Sequence, residues 1–133
     1  MVTTDYITRL PTPSGDRGAH ILIAEENVIT RRKIELAIAR VGWTFESAAD
    51  GVEALSAIER SVAKLALVLS DVRMPRMNGI ELIRELKSTP TLAQVSVVLI
   101  GWPDQEPEAR VAACDGFLNK PVSIADLLNL LNL

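Results

Sequence analysis

Glu25, Glu26, Asp71 and Lys120 are the residues of this 133-residue chain whose chemistry is worth assembling first. Glu25-Glu26 follows the apolar run His20-Ile21-Leu22-Ile23-Ala24. Asp71 closes the run Leu65-Ala66-Leu67-Val68-Leu69-Ser70, and Lys120-Pro121 follows Gly116-Phe117-Leu118-Asn119. These runs have the length and composition of strands in a parallel sheet. Ligands of open α/β sheets gather at the carboxyl ends of the strands, where all of these side chains fall. Carboxylates brought into one pocket repel each other, and a bound divalent cation relieves the repulsion. Carboxylates and water suit Mg²⁺, a hard ion that pairs readily with phosphate. A carboxylate such as Asp71 can act as a nucleophile and form an acyl phosphate. Metal and lysine would then offset the charge on the transferred group. The plainer reading makes Asp71 a turn former and Glu25-Glu26 the acidic start of a helix, favoured by its dipole.

These residues meet only if the elements between them alternate. Residues 1–18 hold two prolines and two glycines with no sustained period, and read as a flexible leader ahead of a domain over 19–133. From Val28 to Val41 the residues Ile34, Ala37, Ile38 and Val41 fall at helical spacing, and Gly42 closes that helix. Thr44–Ala48 reads as a short outer strand. Asp50 is the expected N-cap of a second helix whose inner face carries Val52, Leu55 and Ile58. Beyond Asp71 the strand must stop, because Pro75 has no N–H and Asn78-Gly79 tolerates positive φ. Ile80, Ile83 and Leu86 mark a third helix that stops near Pro90, and Val95–Ile100 a buried strand. Helical signal returns weakly from Glu108 to Cys114, and Pro103 and Pro107 leave little room for a regular helix there. Ser123 caps a last helix, Ile124 to Leu133. Five such βα units predict a single-domain doubly wound parallel sheet with helices on both faces; its order, 2-1-3-4-5, is taken over from known five-stranded sheets rather than from these residues.

Composition narrows the function. With 48% hydrophobic and 23% charged residues the chain is an ordinary globule. Net charge is −3 and the basic residues are scattered, Arg31-Arg32-Lys33 being the only cluster, which argues against direct nucleic-acid binding. A single cysteine, Cys114, excludes an internal disulfide and suits the reducing cytoplasm. No signal peptide and no run of about 18 apolar residues predicts secretion or membrane insertion. His20 is expected to be solvated, Cys114 to be a small core residue, and Met74 and Met77 to fill gaps. Leu127, Leu128, Leu130, Leu131 and Leu133 leave the last helix apolar almost all round. One face should pack on the sheet and the other serve a homodimer or further chain.

Glu25-Glu26-Asn27, Asp71-Val72-Arg73-Met74-Pro75-Arg76-Met77-Asn78-Gly79 and Lys120-Pro121, in that order, resemble the receiver domain of two-component response regulators. The resemblance covers His20 to Leu133 and implies the CheY-like variant of the flavodoxin fold. It implies that Asp71 is a phosphoacceptor, that Glu25 and Glu26 organise Mg²⁺, and that Arg73 adds its backbone carbonyl to the metal. Lys120 would contact the phosphoryl group, Pro121 would follow a cis peptide bond, and Phe117 would be the aromatic switch. The donor would be a histidine kinase or histidine phosphotransfer protein, and the output a changed contact with a downstream protein. Such a domain is not an enzyme beyond slow self-dephosphorylation.

Three positions depart from the family. Glu26 stands where a shorter aspartate usually ligates the metal. Gly101 stands at the usual Ser or Thr of the fourth strand, and neither Ile100 nor Trp102 supplies a hydroxyl. Trp102 is bulky where the family is small, and an indole there could shield Asp71 from a phosphohistidine. The alternative is therefore a pseudo-receiver that binds partners independently of phosphorylation. A haloacid-dehalogenase-like phosphatase fits poorly, because Arg73 occupies the place of its second aspartate.

Overall fold

The computed structural model describes residues 20–131. The expected leader and the end of the last helix at Leu133 lie outside the described residues. The chain alternates β1 (His20–Ala24), α1 (Val28–Arg40), β2 (Thr44–Ala48), α2 (Gly51–Ser61), β3 (Leu65–Asp71), α3 (Gly79–Lys87), β4 (Val97–Gly101), α4 (Glu106–Val111), β5 (Gly116–Asn119) and α5 (Ile124–Leu130). A 3₁₀ turn, Pro103–Gln105, precedes α4. All strand pairs are parallel, as the alternation predicts, and the order is β2-β1-β3-β4-β5, the one taken over from known sheets.

The two-residue period of a strand builds two cores from one sheet. Leu22, Ala24, Val68, Val97 and Leu99 face α2, α3 and α4, meeting Ala57, Ile58, Ile83, Leu86 and Ala109. Ile21, Ile23, Leu67, Leu69, Val98 and Ile100 face α1 and α5, meeting Ile34, Ile38, Leu127 and Leu130. Each large side chain buried this way contributes about 1.5–3 kcal/mol. Parity also aims the strand ends: Asp71 shares the side of Leu67 and Leu69, and Gly101 the side of Val97 and Leu99.

Polar side chains start the helices. Asn27, Asp50 and Ser123 each accept a backbone N–H of the first turn, and Asn78 with Glu81 forms a reciprocal capping box. Gly42, at φ 91°, ends α1 in the left-handed conformation.

Several expectations need correction. His20 is 5% exposed, not solvated, because β1 lies inside the sheet between β2 and β3. Its Nδ1 lies 2.8 Å from Thr44 Oγ1, and burial holds the imidazole below its ordinary pKa. The inner face of α2 is Ala54, Ala57, Ile58 and Ser61; Val52 is exposed, and the small residues face the core instead. The fourth strand begins at Val97, since the N–H of Val95 turns back to Leu92 O. α4 occupies Glu106–Val111, earlier than Glu108–Cys114, because Pro107 sits in its first turn, where a missing N–H costs nothing. Of the apolar residues expected in the last helix, Leu127 and Leu130 of α5 and the following Leu131 are buried, and Leu128 is half-buried.

The β3–α3 connection is pinned from below. The N–H of Gly79 donates to Val72 O at 2.9 Å. A Cβ at Gly79 would meet the carbonyl oxygen of Asp71 and stand 2.8 Å from Leu99 Cδ2. Alanine ordinarily stabilises a helix relative to glycine by about 0.5–1 kcal/mol. Here Gly79→Ala should instead destabilise by about 1–3 kcal/mol, the usual cost of overpacking, with the urea midpoint as the readout.

Candidate functional site

Glu25, Glu26, Asn27, Val28, Ile29, Asp71 and Lys120 line one open cleft at the carboxyl ends of β1, β3 and β5. The sheet order makes this meeting possible by setting β1 beside β3. Asp71 is 1% exposed, and its Oδ1 lies 2.9 Å from Lys120 Nζ. Glu25 is fully buried; Oε2 accepts the N–H of Asn27 at 3.0 Å. Its Oε1 has no hydrogen-bond partner, and Lys120 Nζ stands 3.9 Å away. The guanidinium of Arg31 donates to Glu25 O at 2.8 Å, holding the β1–α1 turn in place.

Lys120 is delivered by β5. Its backbone N–H donates to Gly101 O at 2.8 Å, and the Lys120-Pro121 bond is cis, as expected. Burial pushes the Asp71 carboxyl up to about 8. The neighbouring Glu25 carboxyl adds to the rise, while Lys120 opposes it.

The other expected site residues divide. Glu26 is exposed at the rim of the cleft, so the buried acidic partner of Asp71 is Glu25. The Arg73 side chain turns outward and pairs with Glu108 at 3.1 Å. Gly101 is buried at the end of β4, with Phe117 fully buried beside it. Trp102 is 52% exposed and is not among the cleft-lining residues.

The donor set suits Mg²⁺: three carboxylates on one cleft, two of them, Glu25 and Asp71, with a buried oxygen that has no hydrogen-bond partner among the described residues, and open access for water. Among the described residues no three acidic, histidine or cysteine side chains converge into a cage. Mg²⁺ does not require one, because it retains several waters and takes one or two protein carboxylates.

Sequence reasoning missed two sets of contacts. Arg76, at φ 67°, places its guanidinium on the N-cap Asp50 at 3.0 and 3.1 Å and ties the β3–α3 loop to α2. Gln105 folds back so that its Oε1 accepts the N–H of Trp102 at 2.9 Å. The three-residue spacing from Trp102 to Gln105, with Pro103 opening the turn, was the available signal.

Fold and cleft define a doubly wound parallel α/β protein with an acidic, lysine-paired aspartate at its topological switch point. The chain belongs to the response regulator receiver domain family, whose model matches residues 21–132. It is similar to the response regulator MprA of Mycobacterium ulcerans, 37% identical over 84% of this chain and 47% of that protein. It is also similar to the sensor kinase CckA of Brucella abortus, 34% identical over 83% of this chain and 12% of that protein. The chain thus spans less than half the length of these two relatives. Among solved structures, chemotaxis protein CheY4 of Vibrio cholerae superposes with a TM-score of 0.76 at 26% identity, covering 86% of this chain and 96% of that one. A receiver domain is a signalling domain of two-component systems. No helix among the described residues is long and apolar enough to cross a membrane.

The raised pKa of Asp71 has a sign that can be measured. Unfolded, the carboxyl loses its proton near 3.8; folded without metal, it keeps it to about 8. Between those values the unfolded state binds fewer protons, so metal-free stability falls as pH rises. In EDTA, Asp71→Asn should flatten that slope and raise stability at pH 8 by on the order of a few kcal/mol, read from urea titrations at pH 5 and pH 8.

Proposed function

We propose that Asp71 is a working phosphoacceptor. The reading is carried by one observation: Asp71, Glu25 and Lys120 share a strand-end cleft, with the lysine 2.9 Å from the aspartate. Asp71 attacks the phosphorus of a phosphohistidine; the P–O bond forms, the P–N bond breaks, and the imidazole leaves with a proton. Lys120 moves its ion pair from the carboxylate to the phosphoryl oxygens. Glu25, fixed by Asn27 and Arg31, holds negative charge beneath the site; Glu26 at the rim and the Arg73 carbonyl complete the oxygen donors. Bound there, Mg²⁺ supplies positive charge against the repulsion between carboxylates and phosphoryl group.

The donor on this reading is a histidine kinase or a histidine phosphotransfer protein in the cytoplasm. Val28 and Ile29, 65% and 81% exposed in the first turn of α1, give the cleft an apolar rim for such a protein. The phosphorylated domain would then signal through changed contacts with a downstream protein.

Incubation with Mg²⁺ and phosphoramidate, followed by intact-mass measurement, tests this directly. The expected result is a gain of one phosphoryl group, absent in Asp71→Asn and abolished by EDTA. No gain in folded protein would leave a phosphorylation-independent interaction module.

A further inference from the structure

The end of β4 carries a backbone donor that the sheet does not use. Even-numbered residues of this segment direct their backbone groups toward β3: Val68 N donates to Ser96 O and Val72 N to Ile100 O, both at 2.9 Å. The next rung of a parallel ladder would run from Trp102 N to Val72 O. Val72 O instead accepts the N–H of Gly79 at 2.9 Å. The Trp102 N–H is therefore left out of the ladder at the sheet end, two residues beyond Ile100, the register partner of Asp71. It is capped by the side chain of Gln105, whose Oε1 lies 2.9 Å away. The backbone closes the same turn from the other side, Gln105 N donating to Trp102 O at 2.9 Å.

Gly101 makes this arrangement possible. A Cβ at that position would stand 2.5 Å from Gln105 Oε1, 3.0 Å from Val72 Cγ2 and 3.3 Å from Phe117 Cζ. The Gln105 amide occupies the room that any side chain at Gly101 would take. Loss of a hydroxyl at Gly101 and capping of the Trp102 N–H are thus one structural feature.

We infer that Gln105 is a latch on the phosphoryl site: its amide oxygen holds the Trp102 N–H that a phosphoryl group on Asp71 would otherwise recruit. The inference rests on the phosphoacceptor reading and deepens it. An N–H at this strand end is a ready donor to an anion, and a hydrogen bond to a charged acceptor outweighs one to a neutral amide. Phosphorylation must therefore displace Gln105, and the domain is biased toward its unphosphorylated state by the strength of that contact.

Beryllofluoride, a phosphoryl mimic, gives the test by titration in Mg²⁺ with NMR detection, on the wild type, Gln105→Ala and Gln105→Glu. Releasing the latch in Gln105→Ala should tighten beryllofluoride binding about three- to tenfold, the range one net hydrogen bond supplies. Mg²⁺ affinity measured alone should stay unchanged. Gln105→Glu keeps an acceptor on the Trp102 N–H, so it should bind more weakly than the wild type. A side chain that merely braces the loop predicts the opposite sign, weaker binding in Gln105→Ala. Unchanged or weaker binding in that variant, with the wild type still binding, would overturn the latch and leave the phosphoacceptor reading standing. Absence of binding in the wild type and every variant would overturn both.

Discussion

Two buried carboxyl groups facing a single ammonium are the constraint around which this domain is arranged. Asp71 and Glu25 are withdrawn from water, and among the described residues Lys120 is the cation paired with both. Burial of an unpaired carboxylate is costly, and pairing with a half-exposed lysine offsets only part of that cost. The remainder appears as the raised pKa of Asp71. A site in that condition has a standing affinity for added positive charge, and negative charge introduced at Asp71 needs a cation to accompany it. In the proposed function, metal binding and phosphoryl transfer share this one electrostatic origin.

The fold supplies the geometry by simple means. Parallel pairing of β1 with β3 sets Glu25 beside Asp71, and pairing of β4 with β5 carries Lys120 in through the bond from its N–H to Gly101 O. The loops above are cross-tied by short polar contacts: Arg31 to Glu25 O, Arg76 to Asp50, and Gln105 to Trp102. Two of these ties are local and the third, Arg76 to Asp50, joins the β3–α3 loop to α2. Close approach completes the design, since Gly79 and Gly101 are positions where a methyl group would collide with the site's own framework.

The βα alternation, the capping residues Asp50 and Ser123, and the residues at the strand ends were legible in the sequence because they follow from local rules, whereas the strand order was taken over from known sheets of this kind. Apolar runs, N-cap chemistry and turn residues act within a few positions of one another. His20 was misjudged because a polar residue at a strand start says nothing about which strands flank it; that is decided by the order of the sheet. The inner face of α2 was misjudged because alanine carries little periodic signal, yet Ala54 and Ala57 are what face the core. Gly101 read as a missing hydroxyl. Its positive role, making room for Gln105, needs the three-dimensional return of a side chain four residues further on. The resemblance put Glu26 at the metal-ligating place, but residue type did not tell which glutamate is buried; the direction of the chain leaving β1 buries Glu25 and exposes Glu26.

The electrostatic account is tested most directly by calorimetric titration of the protein with Mg²⁺ at pH 7 in two buffers of different ionisation enthalpy. Because Asp71 holds its proton to about 8 without metal, Mg²⁺ binding there should release about one proton per ion. Asp71→Asn should abolish that release. Binding without proton release, or release unchanged in Asp71→Asn, would contradict the claim that the buried carboxyl of Asp71 is the metal-linked group.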